Sequence, residues 1–281
     1  MRRAPGRGWR RHVGAWVVGG AVLALAIPMV VPFLYMVSSS LMDDLAALGS
    51  PPALLPPPQA HWSNYPAALT ALPFGRFFLN TAIFAGCVVV GQVATSATAA
   101  YAFARLRFPG RDRLFFAYLS VLMVPAIVLL IPRFLFINAL GWVDSYAGLI
   151  STELVSVWGI FLLRQFFQTI PRELEDAARL DGAGEWAIFW RVVLPLSRPA
   201  LATLAVLAFV DQWKSFLWPL MATRSTDMAV VEVGLATFHG LYSTNGPYLM
   251  AAAVTAVVPL LLVFFVAQRY FIRGIQLTGL K

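Results

Sequence analysis

Cysteine, lysine and histidine are nearly absent from this sequence, and charge of either sign is scarce. Cys87 is the one cysteine among 281 residues, which excludes an intrachain disulfide scaffold. The only lysines are Lys214, inside an apolar run, and Lys281. Neither ends a glycine-rich loop of the kind whose lysine reaches the β- and γ-phosphates of a nucleotide. If ATP drives this protein, a partner hydrolyses it. His12, His61 and His239 are scattered, with no pair spaced to put two metal ligands on one helix face. Charged residues make up 12% of the chain, about half the share of a soluble domain. An enzyme built on this chain alone is not expected.

What the sequence has instead is apolar length. Hydrophobic residues account for 59% and the mean hydropathy is +0.74, more apolar surface than a soluble or disordered chain carries. The net charge of +8, from 21 basic and 13 acidic residues, needs no nucleic acid to explain it, because basic residues gather on the cytoplasmic side of membrane proteins. The expected fold is an all-α membrane protein of six transmembrane helices. The spans fall at Gly14–Ser38, Phe77–Tyr101, Leu114–Leu135, Ala147–Phe167, Ala200–Met221 and Leu249–Ile272.

The fourth span carries Glu153. The first follows Arg10 and Arg11 and contains Ala24-Leu25-Ala26, which looks like a signal-peptide cleavage site. Its apolar run continues to Tyr35, beyond the length of such a signal, so it is expected to stay as a span. With both termini in the cytoplasm, 17 of the 21 basic residues lie inside, and Arg76, Arg133, Lys214 and Arg224 are the rest. The outer loop Ser39–Arg76, with Pro51-Pro52 and Pro56-Pro57-Pro58, should be partly polyproline II. The connection Arg105–Arg113 turns at Pro109-Gly110.

The segment at about 168–199 has a different character. Pro171 suits the first turn of a helix, and Glu173, Glu175 and Asp176 complement its positive end. Glu175 and Arg179 stand at i,i+4 in the favourable order. Gly182 can supply a left-handed cap, and a second helix, Glu185–Val193, is expected to stop before Pro195. The result is a helix–turn–helix elbow whose Ala177 and Ala178 allow close approach of another surface. By residue type alone it could equally be an amphipathic hairpin lying at the headgroups.

The pattern of this segment resembles the EAA loop of binding-protein-dependent ABC importer permeases. Asp176-Ala177-Ala178 stands at the Glu-Ala-Ala position and Asp181-Gly182-Ala183 follows, with Asp176 one methylene shorter than the usual glutamate. Other segments are similar to maltose-type carbohydrate permeases in the same order. They are Tyr101-Ala102-Phe103-Ala104-Arg105 with Phe108-Pro109-Gly110, Phe161–Phe167, Phe216-Leu217-Trp218-Pro219-Leu220, and Gln268–Gly274. The resemblance implies that the loop docks on a cytoplasmic ATPase and transmits its closure. It implies a homologous second permease, two ATPase copies and an extracytoplasmic solute-binding protein as partners. The chain itself would hold no cofactor, ATP and Mg being bound by the ATPase, and would reside as a multi-pass protein in the bacterial inner membrane.

Asp211 and Lys214 lie roughly 16–21 Å from the inner end of the fifth span at 1.5 Å per residue, where a charge needs a protein or water partner. Being i,i+3 they share a helix face and can pair, or they line the pathway with Trp213 or Trp218 stacking on a sugar ring. The family usually has Trp-Asn and then an acid where this chain has Trp213-Lys214-Ser215. That change makes the site more positive and raises glycerol phosphate or a related phosphodiester as an alternative to a sugar or oligosaccharide. Glu153 and Arg133 are secondary pathway candidates, read first as interhelical contacts. Trp142, Tyr146 and Tyr270 are read as interfacial anchors. An ATP-independent carrier or channel is the alternative of another class, sustained by a carboxylate at midplane.

Overall fold

A computed structural model describes residues 7–43, 54–241 and 246–278, with side chains described for 18–43, 54–240 and 246–268. Pro51-Pro52 and the side chains of Arg269–Gly274 lie outside the described residues. The described residues form helices and connections, with no strand among them. They divide into two units, residues 1–72 with 237–255, and residues 73–236 with 256–281.

In the first unit α1 (Arg7–Ser40) carries the apolar stretch Val18–Ser40, with mean hydropathy 2.2 over an 18-residue window that has no buried residue, while Ser38, Ser39 and Ser40 at its end are buried. Its end is tied down by polar contacts to α2 (Asn64–Ala71). The Asn64 side-chain amide donates to the Ser40 and Met42 carbonyls at 2.9 and 2.8 Å, and the Ser40 and Tyr65 hydroxyls meet at 2.8 Å.

The second unit is built on α3 (Phe74–Arg105), the longest helix wholly inside it. Ala97, Ala100 and Ala104 give α3 a face of small residues, so α7 (Val157–Thr169) and α10 (Arg198–Trp213) can pack along it. Leu163 and Phe167 of α7 and Leu204 of α10 close this core. Gly159 marks the tightest approach: a Cβ there would stand 2.6 Å from Ser96 Oγ and 3.0 Å from Leu204 Cδ1.

Three expected spans are not continuous helices. Where Leu114–Leu135 was expected, α4 (Arg111–Leu119) runs into a 3₁₀ turn to Met123, and Ala126–Leu129 leads into α5 (Leu130–Ala139). The two halves are bent by 94°. Pro125 has no N–H to continue the ladder and holds Val124 extended at φ −85°, ψ 120°. Where Ala147–Phe167 was expected, α6 (Tyr146–Ser151) and α7 are separated by residues 152–156, and Ser156 caps α7 by accepting from the Gly159 N–H. The freed carbonyls of Glu153 and Leu154 accept from Gln92 and Thr95 of α3 at 2.8 and 2.9 Å, which is how non-helical backbone is tolerated within a membrane protein. Where Ala200–Met221 was expected, α10 ends at Trp213 and α11 (Leu217–Ala222) begins after a break.

The elbow between them departs from expectation at its exit. Beyond α8 (Glu173–Leu180), α9 (Glu185–Ile188) passes into a π turn over Phe189–Val193 and a last turn, Leu194–Leu196, before a 76° bend into α10. The helical path therefore runs through Pro195 instead of stopping ahead of it. Pro195 falls in the first turn of the new segment, where the missing N–H has no bond to break. After α12 (Val231–Leu241) the chain ends in α13 (Gly246–Thr278), whose stretch Gly246–Gln268 has mean hydropathy 2.7. Among the described residues, three helices are long and apolar enough to cross a membrane, or up to five if each bent pair counts as one span.

Candidate functional site

Two groups of polar side chains stand out in the second unit. The first is the 168–199 elbow. Gly182 adopts φ +83°, so the chain reverses after α8 in a conformation that strains any residue with a Cβ. Around that turn the residues separate by exposure. Asp176, Ala177, Asp181 and Gly182 are exposed and Ala178 and Ala183 half-buried, while Leu180 is 90% exposed. Glu175 is buried at 2% exposure. Its carboxylate lies 2.9 Å from Arg105 Nε, an ion pair with both side chains enclosed, though out of line for a hydrogen bond. Arg105 also donates to the carbonyls of Phe167 and Ile170. One guanidinium therefore holds the end of α3, the exit of α7 and the start of the elbow.

Arg179 supplies the second link. It reaches Asp176 at 2.8 Å, Glu185 at 3.0 Å and Glu175 at 3.6 Å. The Tyr101 hydroxyl donates to Glu185 at 2.7 Å. That bond, with the Arg179 guanidinium, holds the Glu185 carboxyl below the usual range although burial works against it. The i,i+4 pair of Glu175 with Arg179 was legible in the sequence. The Arg105–Glu175 pair was missed, because no local spacing connects two residues from different helices.

The second group lies where α6, α7, α10 and α11 are interrupted. Arg133 of α5 pairs with Glu153, donates to Thr152 Oγ1 at 2.8 Å, and lies 4.0 Å over the Trp218 ring. Glu153 and Arg133 thus make the interhelical contact expected of them. Asp211 is exposed, within electrostatic reach of Glu153, and receives a long 3.5 Å bond from Gln212. It borders a cavity of about 310 Å³ lined by Gln92, Ser156, Trp158, Leu204, Leu207 and Ala208.

Lys214 does not make the pairing that its i,i+3 spacing with Asp211 allows. It is the residue that caps α10, at φ −88°, ψ 4°, and it forms no ion pair with Asp211 among the described residues. Its N–H still bonds the Val210 carbonyl at 3.3 Å, so the backbone step from Asp211 is helical and only the side-chain contact is absent. Glu232 of α12 lies within electrostatic reach of Lys214: burial pushes its carboxyl up and Lys214 draws it back. Glu232 went unnoticed in the sequence, which places it in an outer connection.

Neither indole is free to stack on a solute in this structure. Trp213 is 5% exposed, donates to the Ala256 carbonyl at 3.1 Å and sits between Phe78 and Phe209. Trp218 is 3% exposed, donates to the Leu149 carbonyl at 3.0 Å and is covered by Arg133. Among the described residues no three His, Cys, Asp or Glu side chains come together as a metal site.

An all-helical chain with long apolar helices, interrupted spans lined by polar groups and an elbow of short helices between two of them is the architecture of a membrane permease. The chain belongs to the binding-protein-dependent transport system inner membrane component family, which matches residues 92–277. It is 36% identical over 265 residues to the sn-glycerol-3-phosphate transport system permease protein UgpE of Yersinia pestis bv. Antiqua (strain Antiqua), covering 90% of this chain and 92% of that one. It is 37% identical over 208 residues to the arabinooligosaccharides transport system permease protein AraQ of Halalkalibacterium halodurans, covering 74% of this chain and 75% of that one. A crystal structure of a bacterial ABC transporter involved in the import of the acidic polysaccharide alginate contains a chain of the same fold. That match has TM-score 0.83 at 26% identity, covering 95% of this chain and all of the other. The chain is thus an ABC importer permease with membrane-spanning helices, and its relatives are transport permease subunits.

Proposed function

We propose that this chain is one of two homologous permease subunits of a bacterial importer for a sugar or oligosaccharide, a single transmembrane domain of six spans with both termini in the cytoplasm. In this reading the 168–199 elbow docks on one of two ATPase copies, which bind ATP and Mg and hydrolyse it. An extracytoplasmic binding protein delivers the solute from the other side. Asp176, Ala177, Ala178, Asp181, Gly182 and Ala183 form the docking surface.

The division of the elbow into two faces is the observation that carries this reading. Glu175 and Ile188 face inward and are buried, whereas Leu180, Trp186 and Trp190 are 90%, 69% and 62% exposed. A large apolar residue so exposed at a turn, beside small alanines, suits a partner groove better than water. Relatives transport sn-glycerol 3-phosphate in one case and arabinooligosaccharides in another. The pathway group favours the uncharged class. Arg133 is paired with Glu153, and Lys214 lies within electrostatic reach of Glu232, so carboxylates already accompany both cations.

Co-purification in detergent tests the docking. Wild type should retain its ATPase, and Leu180→Asp should release it while the two permeases stay together. An ATPase that stays bound to Leu180→Asp with undiminished solute-stimulated hydrolysis sinks the assignment. A wild-type chain that transports solute with no ATPase present would make it a lone carrier.

A further inference from the structure

The connection between α3 and α4, residues 106–110, takes no part in the pathway group. It joins two helices that are both membrane candidates, so it lies at the level of the lipid headgroups whichever way the chain is oriented. There the surface opens into a cleft of about 760 Å³, bordered by Arg107, Phe108, Gly110, Arg111, Arg113 and Arg172. Asp112 is the one carboxylate on its rim, and it is engaged by Arg111 at 3.1 Å and Arg164 at 3.7 Å. Arg107, Arg113 and Arg172 are exposed and have no carboxylate within 4.0 Å among the described residues. Three guanidinium groups on one concave surface repel each other unless an anion lies between them.

Two further features say which anion. Gly110, at φ +77° with open space around it, starts α4 at the rim of the cleft. Immediately beyond, α4 presents an apolar flank at Leu114, 56% exposed, with Phe116, 67% exposed, on the other side of the helix. A soluble phosphate or an acidic protein surface would use the arginines and leave that apolar flank bare. An amphiphile with an anionic head uses both. We propose that this cleft binds the phosphate of an anionic phospholipid, whose acyl chains lie along Leu114. The inference needs only a membrane-embedded chain and is independent of the solute; Arg172 stands at the start of the elbow, so ATPase retention is followed separately in the test.

The test uses the intact transporter in phosphatidylcholine membranes with spin-labelled phosphatidylglycerol or phosphatidylcholine as probes. Wild type should immobilise the phosphatidylglycerol probe preferentially. One arginine near an anionic surface is worth roughly fivefold in affinity, so Arg113→Gln should lower the preference by roughly that factor. The triple variant Arg107→Gln, Arg113→Gln, Arg172→Gln should lower it by on the order of a hundredfold on the same basis. Arg113→Gln alone carries the test if the triple variant does not assemble. Unchanged selectivity in Arg113→Gln and in the triple variant overturns the proposal. So does complete displacement of the lipid probe by millimolar inorganic phosphate, which would make the ligand a soluble anion. Release of the ATPase from the triple variant with lipid selectivity intact would assign these arginines to protein docking and overturn it as well.

Discussion

Arg105 and Glu175 form an ion pair at 2.9 Å with both side chains 3% exposed, joining the end of α3 to the elbow. Neither charge has water to fall back on. Removing one partner from a buried pair typically costs about 3–5 kcal/mol, because the other is left uncompensated. Arg105→Met should therefore lower the melting temperature of the purified complex sharply, and Glu175→Gln less. In Glu175→Gln the guanidinium still donates to the Phe167 and Ile170 carbonyls. Equal losses in the two variants would show that the carbonyl contacts contribute nothing.

Gly182 should tolerate size but not a β-branched backbone preference. No atom lies within 4 Å of the position a Cβ would take, so Gly182→Val meets strain from φ +83° alone, about 1 kcal/mol. Gly182→Asn, which enters the left-handed region more readily, should lose less. Solute-stimulated ATP hydrolysis measured for both variants should follow that order, with membrane insertion normal. Equal stimulation in both, at the wild-type level, would remove the elbow geometry from coupling.

Asp211 and Lys214 should behave independently. With no ion pair between them, the double-mutant cycle of Asp211→Asn and Lys214→Asn should give a coupling energy below about 0.5 kcal/mol. A larger coupling, read from thermal stability, would mean that the two charges meet in a working state. Transport by Lys214→Asn separates the solute classes: a neutral sugar should still cross, whereas a phosphate-bearing solute should not.

The connection near Asp144 provides a pH dependence. Asp144 is held at φ +63°, and burial alone would raise its carboxyl. The N–H groups of Arg224 and Ser225, donating at 2.8 and 3.0 Å, hold it below the usual range instead. A depressed carboxyl stabilises the fold fully above the ordinary unfolded value and loses that contribution as pH falls through the folded one. The melting-temperature gap between wild type and Asp144→Asn should be constant above roughly pH 5 and shrink below roughly pH 4. A gap that is flat across this window would show that the carboxylate charge is not what those N–H groups hold.

Orientation is open to cysteine labelling in a Cys87→Ala background, since Cys87 is exposed. Cysteines at Gly110 and Gly184 should react only from the cytoplasmic side, and cysteines at Pro57 and Arg224 only from outside. Ser243, a natural outer-loop choice, lies outside the described residues. Labelling of Gly184 from outside would overturn the docking argument together with the orientation.

The apolar segments, the basic connection at Arg105–Arg113 and the Gly182 turn were all legible along the chain, because each depends on neighbours within a few residues. Hydropathy over some twenty positions marks a membrane segment whatever it packs against, and a left-handed cap is written in the glycine itself. The breaks were less legible. Pro125 could have announced the bend in the third segment. Nothing local shows that residues 152–156 leave the helix, since their carbonyls are rescued by Gln92 and Thr95 from another one. Distant partners alone decided the buried Arg105–Glu175 pair, the approach of Lys214 to Glu232, and the enclosure of Trp213 and Trp218. The sequence by itself determined which segments prefer a membrane and which turn is tight. Tertiary structure decided which charge faces which, because Coulomb energy and desolvation depend on distances that packing sets and sequence spacing does not.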